Sequence, residues 1–502
     1  MSVNTTTSFE GGIIRKSSNQ SIPQSSPPSE SQTNVSSTQD TADSDLLEPT
    51  ERTGLLSPDD PIVSPLNLST IKLLRQLTYY LLIFNTIVLI FLILSHFITF
   101  SITPYFRDIN LLILCIIYNV TTLWCFVVTG ISEIYLSVFT IVLVLIDMLV
   151  ILFKLSGVWS PLYTIINLVY FLWVESYIRK CKTQQEIKYT GRPETRMTVF
   201  EIFISSIKFF IKLATLILVL MMSMFVWLNA FDTKVTGKTV NINGVNLHLE
   251  CYGSKNGTVL VEGGLKTSSE SYLWVEDMFK TNLIPGYCVY DRPGYGISDY
   301  APTTVSLATE YLVMALKEEE ISDVVVVAYD IGGLYSQVLT THGIVKGLML
   351  IDSWHPDLLQ LNYPFKEKFD VVEVPSAWNG FKLWCKGILS PLGLRPLSHL
   401  IHPKLYNSWA RVFGDDMIYN EKYLLTRLQN HLTTKWSSNE IPSSSDVKTL
   451  VISRKSKLKS KNWSNWQREL TKWGKCVDWK VIDDNDKYSE ADSLKFFLEE
   501  LK

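Results

Sequence analysis

Five long apolar runs in the first half of the chain limit its fold more than any other feature. Each run is about 20 residues long, which is the length that an α-helix needs to cross the hydrocarbon core of a bilayer. Such runs are too long for the helices of a water-soluble core. The sequence therefore predicts a five-span helical bundle within residues 71–232, with the spans at residues 77–97, 111–130, 134–153, 159–177 and 213–231.

Basic residues near the predicted spans indicate the orientation of the bundle, because Lys and Arg accumulate on the cytosolic side. Lys72 and Arg75 precede the first span, and six more basic residues lie between the fourth and fifth spans. Five spans put both segments on the cytosolic side and the C-terminal half on the opposite side. Lys208 and Lys212 precede the fifth span, where we expect them to snorkel towards water. The six basic residues are Arg179, Lys180, Lys182, Lys188, Arg192 and Arg196.

One ionisable residue, Asp147, falls in the middle of the third predicted span. A charge at this depth is costly, so a functional proton or ion path is one interpretation. The other is a structural carboxyl that is protonated or hydrogen-bonded by a neighbouring helix. The middles of the remaining predicted spans offer no acid or base as a partner, since Glu175 lies at the end of the fourth, and this favours the structural interpretation.

Residues 1–70 are rich in Ser, Thr, Pro, Asn and Gln and predict a disordered cytosolic tail. Within it, Glu51, Leu55 and Leu56 resemble an acidic dileucine signal, which cytosolic sorting adaptors read on vacuolar and endosomal cargo. A chance pair of leucines is the alternative. The pattern favours a vacuolar or endosomal membrane and leaves a mitochondrial or ER membrane open. The net charge of -3 argues against binding of nucleic acid.

The second half of the chain alternates predicted strands and helices, which indicates a mostly parallel sheet with helical crossovers. One strand, residues 324–327, runs into Tyr329-Asp330-Ile331-Gly332-Gly333 and then into a predicted helix at residues 334–341. A strand, a sharp turn and a helix form the layout of a nucleophile elbow. The usual nucleophile at the centre of the turn is Ser, and Asp330 stands there in this chain.

The elbow, the loop of residues 291–299 and the order of the elements resemble the α/β-hydrolase fold over residues 238–502, with a helical cap at about 356–445. The cap is rich in aromatic residues, which suits a lid over an apolar pocket. Ordinary helix packing explains these aromatics equally well. The apolar runs together with the strings YDIGGLYS and DSWH are similar to a fungal membrane-protein family of uncharacterised function. The aromatic residues of the cap are Phe365, Trp378, Phe381, Trp384, Trp409 and Trp436.

The hydrolase resemblance implies roles for particular residues. In the epoxide hydrolases and haloalkane dehalogenases of this fold, an Asp at the elbow attacks carbon, and a His-activated water cleaves the resulting ester. Asp330 matches that nucleophile, although an Asp can also cap the N-terminus of the following helix. The backbone N–H groups of Gly264 and Ile331 are the expected oxyanion hole. Asp352 is the candidate for the acid that orients a His.

The catalytic His that this fold places after its last strand is missing, because the chain has no His after His431. Lys487 falls near the expected position, and His355 is the candidate for a displaced base. The resemblance puts Glu262, Asp330 and Lys487 in one pocket, where Lys487 between two carboxylates would form a salt-bridged cluster. Such a cluster suits structure or binding more than turnover.

These observations favour a membrane-bound pseudo-hydrolase that acts as a binding or scaffold module for a lipid or another apolar ligand. The alternative is an active hydrolase of lipophilic esters or epoxides, with Asp330 as the nucleophile and His355 as the base. A third hypothesis is a transporter bundle that the domain regulates. No cofactor is predicted, and no spacing of Cys and His predicts a metal site.

A lumenal domain would expose glycosylation acceptors at Asn256 and Asn462. Its cysteines could pair in an oxidising lumen, although the sequence does not give the connectivity. The candidate cysteines are Cys251, Cys288, Cys385 and Cys476.

Overall fold

The structure of the chain is a computed structural model. The model describes residues 66, 68–98, 104–128, 130–154, 157–193, 197–230, 237–301, 304–360, 377–394, 417–484 and 489–502. The predicted disordered tail lies outside these residues except for residues 66 and 68–70, the last two of which begin the first helix. The dileucine pattern at Glu51, Leu55 and Leu56 and the candidate Lys487 also lie outside them.

Five long helices form the first half of the described chain. They are α1 (Ser69–Phe97), α2 (Phe106–Cys125), α3 (Ile131–Lys154), α4 (Trp159–Thr190) and α5 (Val199–Ala230). Among the described residues, four helices are long and apolar enough to cross a membrane: α1, α2, and the segments Ile131–Leu152 of α3 and Val199–Leu228 of α5. Helix α4 covers the predicted fourth span and packs against α2 and α3, but its C-terminal half is polar.

Two lysines are buried inside the bundle, so the prediction that they snorkel to water is wrong. Helix α5 begins at Val199, well before residue 213, and Lys208 and Lys212 therefore lie within it. Lys208 Nζ lies 2.7 Å from Glu133 Oε2. Lys212 Nζ donates to both carboxylate oxygens of Glu175 at 2.7 Å. These acids on α3 and α4 supply the partners that a buried ammonium requires.

Asp147 is also partnered by α5. It accepts hydrogen bonds from Ser223 Oγ at 2.6 Å and from Trp227 Nε1 at 2.9 Å. These hydrogen bonds from α5 are those that the structural interpretation of Asp147 requires. The cost of placing a carboxyl among apolar helices is thereby reduced.

We predict that Lys212→Met lowers the unfolding free energy by about 3–5 kcal/mol, because the Glu175 carboxylate is then buried without its cation. Lys212→Met/Glu175→Leu should recover most of that loss, since no charge is left unpaired. Thermal unfolding of the full-length protein in detergent measures both. The control is Lys182→Met, which removes a partly exposed ion pair and should cost less than about 1 kcal/mol. A Lys212→Met variant as stable as this control would contradict the prediction.

The second half is built on one eight-stranded sheet. The strands are β1 (Lys238–Ile242), β2 (Val245–Gly253), β3 (Asn256–Glu262), β4 (Gly286–Tyr290), β5 (Asp323–Tyr329), β6 (Val345–Ile351), β7 (Lys448–Arg454) and β8 (Lys475–Ile482). Their order is β1-β2-β4-β3-β5-β6-β7-β8, and β2 is antiparallel to both of its neighbours while the pairs from β4 to β8 are parallel. This is the sheet of the α/β-hydrolase fold that the sequence predicts.

Helices cover both faces of the sheet, and this is why its central strands are continuous apolar runs. Val324–Val327 in β5 are buried on both sides, as are the central residues of β6. The helices outside the cap are α6 (Leu273–Lys280), α7 (Val305–Glu318), α8 (Gly332–Leu339), α12 (Lys461–Trp473) and α13 (Ser489–Leu501), and those of the cap are α9 (Asp357–Gln360), α10 (Ala377–Leu389) and α11 (Glu421–Ser437).

The described part of the cap packs on the bundle. The Glu421 carboxylate of α11 accepts a hydrogen bond from the Arg107 N–H at the start of α2, at 2.6 Å. Gln429 Nε2 donates to the His96 carbonyl near the end of α1, at 3.2 Å. Phe106 is fully buried against α10 and α11. The cap therefore joins the bundle to the sheet domain.

One of the aromatic residues of α10 contacts the bundle, and the other two are exposed. Trp378, Phe381 and Trp384 stack along the helix, and Trp384 contacts Phe97 of α1. Trp378 and Phe381 are exposed, which suits aromatic side chains at a membrane–water interface. The other predicted lid residues lie outside the described side chains: Phe365, Trp409 and Trp436.

One disulfide bridge joins Cys251 on β2 to Cys288, its cross-strand partner on β4. Cys385 and Cys476 are free thiols. Asn256 is exposed at the start of β3, and Asn462 is half-buried in the first turn of α12.

We predict that Gly387→Val destabilises the contact between cap and bundle by about 1–3 kcal/mol through overpacking. A Cβ at this position would stand 2.1 Å from the ring of Phe106, which is buried and cannot move aside. Thermal unfolding and limited proteolysis of the full-length protein measure the loss. Lys386→Val is the control, because it puts the same residue on an exposed position of the same helix. Equal stability of the two variants would rule out the tight contact.

Candidate active site

The elbow has the geometry that the fold requires. Asp330 follows β5 with φ +52°, a left-handed conformation that is strained for a residue with a side chain. The two following glycines allow α8 to approach its neighbours closely. A Cβ at Gly332 would stand 2.5 Å from the Gly263 carbonyl, and one at Gly333 would overlap Ser353. The string Asp-Ile-Gly-Gly therefore reflects a sterically crowded turn.

The Asp330 carboxylate is held on both oxygens. Oδ1 accepts a short hydrogen bond from the Trp354 indole N–H, and Oδ2 accepts one from the Leu265 N–H at 3.2 Å. Asp330 is not the cap of α8, because Ile331 occupies that position. Burial raises the pKa of Asp330 above its ordinary value, and the positive charge of Lys457 opposes that shift.

The loop after β3 holds its backbone in a fixed position. The Gly264 N–H donates to Thr267 Oγ1 at 2.7 Å and to the Tyr272 hydroxyl at 2.9 Å, so it does not point at Asp330. The Leu265 N–H is the loop donor that reaches the carboxylate instead. The other predicted donor residue, Ile331, is buried at the cavity described below.

Lys457 is the cation of this site that sequence reasoning missed. It lies after β7, where the fold often carries its acid, and its Nζ is 3.4 Å from Asp352 Oδ2. Asp352 also accepts a hydrogen bond from the Arg454 N–H at 2.9 Å and lies 3.7 Å from Arg454 Nε. Asp352, with φ +47°, is thus bound to cations, and no ion pair with a His is seen for it among the described residues.

The two ring nitrogens of His355 lie beside two other acids of the described chain. Its Nδ1 lies 3.5 Å from Asp357 Oδ2 and its Nε2 lies 3.6 Å from Glu469 Oε2. Both acids are exposed, so the ring faces the surface. The three side chains bring together atoms that could hold a metal ion, which no spacing in the sequence indicated. Burial lowers the pKa of His355.

Glu262 belongs to a separate buried cluster behind the loop. The Tyr290 hydroxyl donates a short hydrogen bond to Glu262 Oε2, and Arg292 lies 3.5 Å from Oε1. Arg292 donates to the Gly264 carbonyl and so fixes the loop. Burial raises the pKa of Glu262 to about 7. Arg292 is thus the cation beside Glu262 in the described part of the chain. The predicted cluster of Glu262 and Asp330 with Lys487 stays a prediction, because Lys487 lies outside the described residues.

The cavity beside the elbow is small. It offers about 30 Å³ to the centres of water-sized molecules, enough for a few waters and too little for a lipid. The sheet domain contributes Ile331 and Trp354, and α11 contributes Arg427 and His431. His431 is thus an imidazole on the cavity wall, a position that its isolated place in the sequence did not indicate.

The match to a protein-family model lies mainly in the membrane half. A family model described as "Region of unknown function (DUF2417)" matches residues 30–251. An "Uncharacterized vacuolar membrane protein" of Saccharomyces cerevisiae is 34% identical over 292 residues, which cover 47% of this chain and 45% of that protein. An uncharacterized protein of Schizosaccharomyces pombe is 29% identical over 284 residues, covering 49% and 50%. The chain thus spans about half the length of the curated relatives it matches.

Solved structures with a similar shape are hydrolases. An esterase from Exiguobacterium antarcticum aligns with a TM-score of 0.37 at 14% identity, covering 53% of this chain and 98% of the esterase. The Cif epoxide hydrolase from Acinetobacter nosocomialis aligns with a TM-score of 0.40 at 14% identity, covering 58% and 95%. The strand order and the elbow of the chain itself define an α/β-hydrolase-like domain, carried by a membrane protein.

We predict that the domain is more stable at pH 5 than at pH 7.5, and that Glu262→Gln reduces this difference by about 2 kcal/mol. The pKa of Glu262 is about 7 when folded, above its ordinary value, so the folded state binds more protons in this range. Stability therefore falls as pH rises from about 4.5 to 7. Thermal unfolding at several pH values measures it.

Comparing Glu262→Gln with the wild type separates the contribution of Glu262 to the pH dependence from the contributions of other titratable groups. Burial also raises the pKa of Glu421 to about 7, which adds to the trend, whereas the lowered pKa of His355 opposes it. Gln replacement at the exposed Glu318 is the control and should leave the pH profile unchanged. A Glu262→Gln profile that is parallel to the wild-type profile would count against a raised pKa.

Proposed function

We propose that the chain is a five-span protein of the vacuolar membrane whose hydrolase-like domain lacks turnover and serves as a scaffold or binding module. The name of the yeast relative supports this membrane. The observation that carries the proposal is the state of Asp330. Both of its oxygens are engaged, by Trp354 and Leu265, and neither ring nitrogen of His355 faces it in the described structure.

The elbow chemistry needs a nucleophile that is free to attack and a base that activates water. A carboxylate that is tied to an indole N–H must break that hydrogen bond before it can reach a substrate. The cation beside it, Lys457, is already paired with Asp352 and is a poor base. The small cavity leaves little room for a lipophilic substrate.

The proposed topology has the basic ends of the bundle in the cytosol and the sheet domain in the lumen. Helix α4 is its fourth span, because its first half is apolar and it packs on α2 and α3. The disulfide between Cys251 and Cys288 is compatible with an oxidising lumen. The exposed Asn256 would be accessible to glycosylation there. Adaptor binding at the dileucine pattern remains part of this proposal.

An active hydrolase of lipophilic esters or epoxides is the second candidate. The strained φ of Asp330 favours it, because such strain is common at nucleophile elbows. His431, on the cavity wall beside Trp354, is then a better candidate for the base than His355.

We predict that the full-length protein hydrolyses neither esters nor epoxides above the buffer rate. Neither His355→Ala nor His431→Ala should accumulate an ester on Asp330 after incubation with an epoxide, as measured by intact mass. An adduct that disappears in Asp330→Asn would overturn the scaffold proposal and establish the hydrolase. If it accumulates only in His431→Ala, then His431 is the base.

We predict that Asp330→Asn lowers the free energy of unfolding. An amide offers one acceptor oxygen where the carboxylate offers two, so one buried donor loses its partner at a cost of about 1–3 kcal/mol. Asp357→Asn changes an exposed carboxylate nearby and is the matched control for thermal unfolding. Equal effects of the two changes would show that the contacts of Asp330 do not hold the elbow.

A further inference from the structure

A cleft of about 440 Å³ opens between α3 and α4, on the side of the bundle where α3 begins. We refer to it as the α3–α4 cleft. Its volume lies in the range of pockets that hold small ligands. It is lined by Ile134, Ser176, Arg179, Lys180, Thr183 and Gln184.

The five lining residues of α4 lie on one face of that helix. Their spacing from Ser176 is three, four, seven and eight positions, which brings side chains into one row. The row presents a guanidinium, an ammonium, two hydroxyls and an amide. Every one of these groups can donate a hydrogen bond.

The same face of α4 becomes apolar towards the middle of the bundle. Ile166, Val169 and Trp173 continue the row at helical spacing, and they are 60%, 49% and 53% exposed. Ile134 lies near the start of the α3 segment that is apolar enough to span a membrane. The α3–α4 cleft therefore lies at a membrane boundary, with donors on the water side and exposed apolar side chains on the bilayer side.

The positive charge of the α3–α4 cleft is not neutralised in the described part of the chain. The nearest acids in sequence are taken: Glu175 by Lys212 and Glu133 by Lys208, both inside the bundle. Arg179 and Lys180 form no ion pair among the described residues. Acids further along pair with Lys182, which is not in the cleft.

We propose that the α3–α4 cleft binds the phosphate-bearing headgroup of an anionic lipid. Arg179 supplies a planar fork for two phosphate oxygens, and Lys180 supplies a compact charge beside it. Ser176 and Thr183 donate to the remaining oxygens. The acyl chains lie along the exposed apolar row of α4. Basic clefts between membrane helices on the cytosolic side bind such headgroups.

Lipid binding to the full-length protein in detergent tests the site, with a phosphatidylinositol monophosphate as the probe and phosphatidylcholine as the neutral reference. We expect Arg179→Ala/Lys180→Ala to weaken binding of the anionic lipid roughly 30-fold, from the loss of two charges near the headgroup. The matched control, Lys188→Ala/Arg192→Ala, removes the same charge from the same segment outside the cleft. It should weaken binding less than about threefold.

A second double variant leaves the charge of the segment unchanged. It therefore does not alter the orientation of the helices, which depends on Lys and Arg near their ends. Ser176→Ala/Thr183→Ala removes two hydroxyl donors, and we expect a loss of roughly fivefold in affinity. Equal losses in the cleft and control double variants would overturn the site, because they would mean that only the overall charge attracts the lipid. Soluble inositol phosphate that binds as tightly as the lipid would overturn the lipid as the occupant, since the apolar row would then contribute nothing.

Discussion

The joining of the two halves depends on one hydrogen bond. The Arg107 N–H, in the first turn of α2, donates it to the Glu421 carboxylate of the cap. The first turn of a helix leaves N–H groups without partners and favours a negative charge. Glu421 supplies both an acceptor and a charge from the cap, and burial raises its pKa to about 7. Two residues further along, the Tyr423 hydroxyl donates to the Leu265 carbonyl at 2.9 Å. The loop that holds Asp330 and the helix that crosses the membrane are therefore fixed by the same cap helix.

The site keeps the backbone of a hydrolase but assigns its charges differently. The elbow retains its strained Asp, and the loop after β3 still presents an N–H to it. The loop after β7 carries Lys457 where the fold often carries an acid, and this lysine neutralises Asp352. The Asp330 carboxylate is therefore hydrogen-bonded on both oxygens and close to a cation that is already paired.

Local patterns predicted most of the fold. The predicted strand at residues 324–327 lies within the observed β5, Asp323–Tyr329, because an apolar run before a turn is a local signal. The elbow was visible for the same reason, since a crowded turn needs glycines at fixed positions. The partners of the site residues were not visible. Trp354, Lys457 and Arg292 reach their acids from separate loops, and no spacing along the chain relates them. The fifth span was predicted to begin only after Lys208 and Lys212, because these two residues are polar. The structure instead places both inside α5.

The sequence by itself determined that the chain has membrane-type helices followed by a parallel sheet with Asp330 at its elbow. Hydropathy, periodicity and glycine positions are properties of short segments, and they do not depend on the rest of the chain. Only the tertiary structure decided that Lys212 is paired with Glu175, that His355 faces the surface, and that Asp330 is held by Trp354. Charge pairing and hydrogen bonding act over a few ångströms, so they depend on which distant segments the fold brings together.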